Sequence, residues 1–251
     1  MKPIIFATYV TSQEWKNHCA EPLEKSFRKF HPDLEFRIFE GSEVNNIFDG
    51  EPTKNIRFLK PSLGKRLKDE YEKVVLLDAD QLIAGPLTEL LEDNSGVAGI
   101  RSNDDNGVSL PCGHFQTPKI PWQIYLNCGL CAVSDHRVWD HWDKLNRTQA
   151  PHMNDAEQGL WNEVFYSGLY TKKLLDPVDS DIIYGTAANS HHWKKLYLHE
   201  NKLMLNLAGK PKWIKILHRA GVGHIGPPEN KFADYNFTPE VAAYVRSLYE
   251  Y

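Results

Sequence analysis

A chain of 251 residues that is 41% hydrophobic and 25% charged can bury a substantial core, so one α/β domain spanning residues 1–251 is expected. A formal net charge of −4, with lysine and arginine scattered, excludes a general attraction to nucleic acid or anionic membranes. Four cysteines are too few for a disulfide scaffold, and no apolar run approaches the ~20 residues of a membrane helix, so a soluble, cytoplasmic protein without a transmembrane segment is expected.

In chain order, residues 3–10 read as a buried strand, 14–30 as an amphipathic helix and 34–39 as a second strand. Residues 41–55 are polar and broken, as in a loop. Ser62 is placed to cap a helix running to about Tyr71, which delivers the chain into Val74-Val75-Leu76-Leu77. That run does not alternate, as expected of a strand covered on both faces. Residues 1–77 thus predict β-α-β-α-β, the pattern of a mainly parallel sheet flanked by helices. A short helix over 86–92, a strand over 96–100, a long polar loop over 101–122 and a strand over 124–133 follow. Ser134 is placed to cap a helix reaching about Leu145, and Asn154 or Asp155 to start one ending near Gly168. A strand over 213–217 precedes a last helix opened by Thr238-Pro239-Glu240, with threonine at the cap and proline at the first helical position.

Cys128 and Cys131 form a CxxC inside the apolar run 125–133. With no second CxxC and no suitably spaced histidine pair, buried structural thiols are expected there. The stronger signal is Asp78-Ala79-Asp80, directly behind the run 74–77. In open α/β sheets ligands bind beyond the carboxyl ends of strands. Two carboxylates at such a place need solvent, hydrogen bonds or a cation, and oxygen ligands at this spacing suit Mn²⁺ or Mg²⁺ shared with phosphate oxygens. A solvated strand end accounts for the same pair without function. Two further classes use similar residues: a DxD-type metal-dependent phosphohydrolase with Asp78 as nucleophile, and a non-catalytic carbohydrate-binding protein rich in tryptophan and tyrosine.

The ordered set of motifs resembles GT-A-fold glycosyltransferases, and family 8 (glycogenin and lipopolysaccharide galactosyltransferases) most closely. Ile5-Phe6-Ala7-Thr8-Tyr9 is similar to the family's first strand, and the segment from Val75 through Asp78-Ala79-Asp80 to Ile83 to its DxD segment. Tyr125-Leu126-Asn127-Cys128-Gly129 resembles the Phe-Asn-Ser/Ala-Gly stretch, and Glu157-Gln158-Gly159-Leu160-Trp161-Asn162 the Asp-Gln-x-Leu-Leu-Asn helix start, with Glu for Asp. The resemblance implies a GT-A-like fold, with 1–101 as the nucleotide-binding half and 102–251 as the acceptor half. It implies transfer of a sugar from a nucleotide-diphosphate donor, UDP-sugar foremost, to a carbohydrate or other hydroxyl acceptor, with retention of configuration. Ala7, Thr8 and Tyr9 then frame the nucleoside, while Asn127, Glu157 and Gln158 position the sugar. Asp78, Ala79 and Asp80 carry the metal segment, with His218 or, alternatively, His224 as third ligand. Lys231 is placed on the phosphates. A cation before the DxD strand faces the donor, drawn from Lys60, Lys65 and Arg66, with Lys65 the one assigned to the donor site. Asn103-Asp104-Asp105-Asn106 and His191-His192-Trp193 stand as weaker candidates for acceptor or sugar contacts.

Overall fold

The structure, a computed structural model, describes residues 1–41, 43, 59–101, 125–149, 156–175, 182–184, 195–207, 209–218 and 237–250. Strand β1 (Lys2–Tyr9) leads through α1 (Gln13–Trp15), a π-helical turn (Lys16–Ala20) and α2 (Glu21–Phe30) to β2 (Glu35–Phe39). The expected single helix is thus continuous but locally underwound: the Glu21 N–H reaches back to the Lys16 carbonyl, five residues earlier. In α2, Leu23 and Phe27 share one buried stripe, with glutamates in the first turn and Arg28 and Lys29 in the last, as the helix dipole favours.

Helix α3 (Leu59–Leu67) precedes β3 (Tyr71–Leu77), β4 (Gln81–Ile83), α4 (Thr88–Leu91) and β5 (Val97–Arg101). Ser62 lies inside α3 rather than at its cap, and Tyr71 begins a strand instead of ending the helix. Strand β6 (Leu126–Val133), α5 (Arg137–Gln149), α6 (Ala156–Tyr166) and β7 (Lys172–Leu175) complete the main sheet and its cover. Ser134 does not cap α5. Its N–H is taken by the Gly96 carbonyl, and Asp135 accepts from Arg137 N at 3.2 Å.

The main sheet runs β2-β1-β3-β6-β5-β7. Pairs β1–β2, β1–β3 and β5–β7 are parallel, and β6 is antiparallel to both its neighbours. Successive residues of the central strands feed opposite faces. Ile5, Ala7, Val74 and Leu76 meet Trp139, Trp142 and Trp161, whereas Phe6, Val75 and Leu77 meet Leu23, Phe27 and Leu90. A Cβ on Gly64 would lie 2.1 Å from Trp139 Cδ2, so only glycine lets α3 sit this close to α5.

A second, five-stranded sheet was not foreseen. It runs β4-β11-β10-β9, with β9 (Leu196–His199), β10 (Lys202–Leu207) and β11 (Lys210–His218), and β8 (Ile182–Tyr184) pairs with β11. Helix α7 (Pro239–Ser247) covers it, with Thr238 accepting from Val241 N at 3.3 Å as its expected cap. Among the described residues no helix is long and apolar enough to cross a membrane. The expected loops over 41–55 and 101–122 lie almost wholly outside the described residues, as do Asn154 and Asp155.

Candidate active site

Asp78-Ala79-Asp80 is the link by which the chain leaves the main sheet and enters the second: β3 ends at Leu77 and β4 begins at Gln81. Strand β4 pairs antiparallel with β11, in a register that sets Gln81 opposite His218. That register carries an imidazole from more than a hundred residues downstream to the side of the acidic pair. Ligand atoms of Asp78, Asp80 and His218 all lie within 4.8 Å of one another. His218 Nε2 is 3.4 Å from Asp80 Oδ1 and 3.6 Å from Asp78 Oδ2. Burial disfavours the imidazolium, but the hydrogen bond to Asp80 and the two carboxylate charges outweigh it and raise the His218 pKa.

Lys60, fully buried on α3, faces the same carboxylates. Its Nζ is 2.8 Å from Asp78 Oδ1 and 3.3 Å from Glu157 Oε1, and it donates to the Cys128 carbonyl at 2.8 Å. Burial pulls its pKa down, yet Asp78 and Glu157 hold it well above the usual lysine value, so the ammonium stays charged. Asp78 therefore divides its oxygens, one toward Lys60 and the other toward His218.

Helix α6 is fastened to β6 by two side chains four residues apart on one helix face. Asn162 accepts from Leu126 N at 2.7 Å and donates to Leu126 O at 3.0 Å, and Gln158 accepts from Cys128 N at 3.3 Å. This brings Glu157 to Lys60. Asn127, between the clamped residues, accepts from Gly129 N at 2.7 Å. The Gly129 carbonyl in turn accepts from Asp78 N at 2.9 Å and from Gln81 Nε2 at 3.0 Å. A Cβ at Gly129 would lie 2.4 Å from His218 Cε1, so the imidazole edge rests on bare backbone.

The structure thus brings together Asp78, Asp80, His218, Glu157, Gln158 and Asn127, and adds Lys60 and Gln81. Tyr9, half-buried at the end of β1, has its phenol pushed well up by burial and then by the nearby Glu157 charge, so it is a neutral hydroxyl beside this cluster. Ala7 and Thr8 are buried within the paired strand, so Tyr9 is the residue of the three that reaches the site. Lys65 corrects an expectation: its ammonium turns to Asp143 at 2.9 Å and Asp140 at 3.8 Å on α5. Five helical residues rotate a side chain by about 140° beyond a full turn, so Lys60 and Lys65 occupy different faces of α3. Arg66 lies over the Phe39 ring, 5.4 Å from its centre. Cys128 and Cys131 are buried free thiols, as expected. His224, Lys231, the stretch 103–106 and His191-His192-Trp193 lie outside the described residues. Gln81 was passed over because it follows the DxD as an ordinary strand residue. Its burial among polar groups depends on the β4–β11 pairing, which no local pattern announces.

No protein-family model matches the sequence, and no curated protein matches it. Solved structures do. The galactosyltransferase LgtC, in complex with donor and acceptor sugar analogues, is similar over 98% of this chain and 95% of its own, with a TM-score of 0.57 and 17% identity. A glycosyltransferase involved in glycosylation of the major capsid of PBCV-1 is similar over 89% of this chain and 95% of its own, with a TM-score of 0.55 and 12% identity. The bifunctional glycosyltransferase WbbM is similar over 99% of this chain but 49% of its own, with a TM-score of 0.60 and 14% identity. The chain therefore carries the GT-A fold of these glycosyltransferases, as the resemblance to family 8 implies.

Proposed function

We propose that this chain is a metal-dependent glycosyltransferase that moves a sugar from a nucleotide-diphosphate donor, UDP-sugar foremost, to a carbohydrate or other hydroxyl acceptor with retention of configuration. The observation that carries the reading is the convergence of Asp78, Asp80 and His218 from two distant segments at the exit of the central strand. Asp78 and Glu157 share the ammonium of Lys60, and Asp80 stands with Asp78 beside His218. Half-buried carboxylates drawn together in this way make a place where a bound cation is favourable. Two carboxylates and one imidazole are a fitting donor set for Mn²⁺, and acceptably for Mg²⁺. A divalent cation there supplies charge neutralisation for the donor pyrophosphate and for the nucleotide diphosphate as it leaves.

In this reading Asp78, Asp80 and His218 hold the cation, with Ala79 as the spacer between the carboxylates. Lys60 holds Asp78 and Glu157 in place. Glu157, Gln158 and Asn127 hold the sugar: Gln158 has its oxygen committed to Cys128 N, so its amide nitrogen is the end that offers a hydrogen bond. The β1 end at Ala7, Thr8 and Tyr9 frames the nucleoside, with Tyr9 offering its hydroxyl and the other two setting its position from within the strand. Lys231 reaches the phosphates, with His224 held as the alternative third ligand. Residues 1–101 supply the donor half of a single domain and 102–251 the acceptor half.

Calorimetric titration of UDP in the presence of Mn²⁺, repeated with EDTA and with Asp80→Ala, tests the reading. Binding that needs metal and is lost in the variant is the expected result. Absence of binding by UDP, and by GDP and dTDP run beside it, sinks the glycosyltransferase reading and directs attention to phosphate monoesters.

A further inference from the structure

Gln81 is fully buried beside the acidic pair and His218 without belonging to that ligand set. Its Nε2 donates to the Gly129 carbonyl, the same oxygen that receives the Asp78 N–H. It is also the register partner of His218 across the β4–β11 pair. A Cβ on Gly129 would meet both His218 Cε1, at 2.4 Å, and Gln81 Nε2, at 2.8 Å, so imidazole edge and carboxamide pack on one backbone atom. One side chain thus binds the Gly129 peptide of β6, to which the Asp78 N–H and the His218 edge also come.

The other end of Gln81 is unfavourable. Its Oε1 is buried and has no hydrogen-bond partner among the described residues. An amide oxygen buried in that way is a net cost to the fold, and an apolar side chain of the same length avoids it. Folding alone therefore favours methionine over glutamine at this position, while the Gly129 carbonyl would keep its bond from Asp78 N.

We propose that Gln81 is a positioning residue for the cation site, fixing His218 relative to Asp78 and Asp80 by holding the Gly129 peptide against the imidazole. The proposal rests on the metal reading above. Hydrogen bonds just outside a ligand set orient the ligands, and their loss typically lowers metal affinity about 10–100-fold.

The test is Mn²⁺ binding to the full chain without nucleotide, followed by calorimetry and by electron paramagnetic resonance of the bound ion, in the wild type and in Gln81→Met. Expected are a loss of Mn²⁺ affinity of about tenfold or more, and weaker coupling of the ion to the His218 nitrogen. The melting temperature should equal or exceed that of the wild type. A folded variant whose Mn²⁺ affinity stays within about twofold of wild type overturns the proposal. Should Gln81→Met not fold, Gln81→Asn keeps the amide but stops one methylene short of Gly129 and should show the same loss. Failure of both to fold also overturns the proposal, because Gln81 is then a residue of the fold itself. If the wild-type chain binds no Mn²⁺, the metal reading fails and takes the proposal with it, a result distinct from equal binding by wild type and variant.

Discussion

Lys60 and Lys215 are both almost wholly buried ammonium groups, yet their surroundings close in different ways. Lys215 on β11 donates to both oxygens of Glu89, at 2.8 and 2.7 Å, and the Tyr184 hydroxyl bonds the same carboxylate. One cation meets one anion there, and the group ties α4, β8 and β11 together. Lys60 meets Asp78 and Glu157 at once, and Asp78 turns its other oxygen to His218, so the group opens into the Asp78, Asp80 and His218 cluster at the end of the central strand. Burial of a lysine does not separate scaffold from site. The cluster to which its partners belong does.

The largest effect that could break this contrast comes from Lys60→Met. Removing the ammonium leaves Asp78 and Glu157 without their cation, which should cost about 3–5 kcal/mol in denaturant unfolding and eliminate metal-dependent UDP binding. A variant that unfolds like the wild type and still binds UDP would erase the difference between the two lysines. Lys215→Met should cost less, about 1–2 kcal/mol, because Glu89 has a side chain 41% exposed and can turn to water. Its metal-dependent UDP binding should be unchanged, and loss of that binding in a folded protein would place Lys215 in the site after all.

The smallest effect concerns His31, whose pKa is lowered by burial and, to a lesser degree, by the Lys215 charge. Its Nε2 accepts from Leu87 N at 3.0 Å, which requires the neutral ring. The unfolded chain takes up this proton near the ordinary value of 6.5 and the folded protein only at a lower pH. The contribution to stability is therefore complete above that value and is lost as pH falls through the lowered folded one. Melting temperatures at about pH 7.5 and 5.5 should differ more for the wild type than for His31→Gln, which still offers an acceptor to Leu87. Equal differences would remove His31 from this account.

The first half of the chain was readable because its strands are unbroken apolar runs: β1 and β3 bury residues on both faces, and no helical period imitates that. Asp78 and Asp80 were readable for the same reason, standing immediately after such a run. The second sheet was missed although part of it was visible. Lys202 to Leu207 alternates, with Leu203, Leu205 and Leu207 buried, and Glu200 and Asn201 form the tight turn before it with φ of 51° and 59°. What could not be read locally is β4, three residues long and held by its pairing with β11. That pairing decides His218 and hides Gln81. The choice of Lys60 over Lys65 likewise depends on the phase of α3, and an expected start at Ser62 left that phase unsettled.

The clamp of Asn162 and Gln158 on alternate residues of β6 has a mechanical consequence. Helix α6 and strand β6 are coupled into one lever, and Glu157, Gln158 and Asn127 ride on it together. Asp78 and Asp80 hang from the joint between the two sheets, and His218 from the far side of that joint. Because β6 is also laddered to β3 and Gly129 O takes the Asp78 N–H, lever and joint are held as one unit, with Lys60 bridging its two halves.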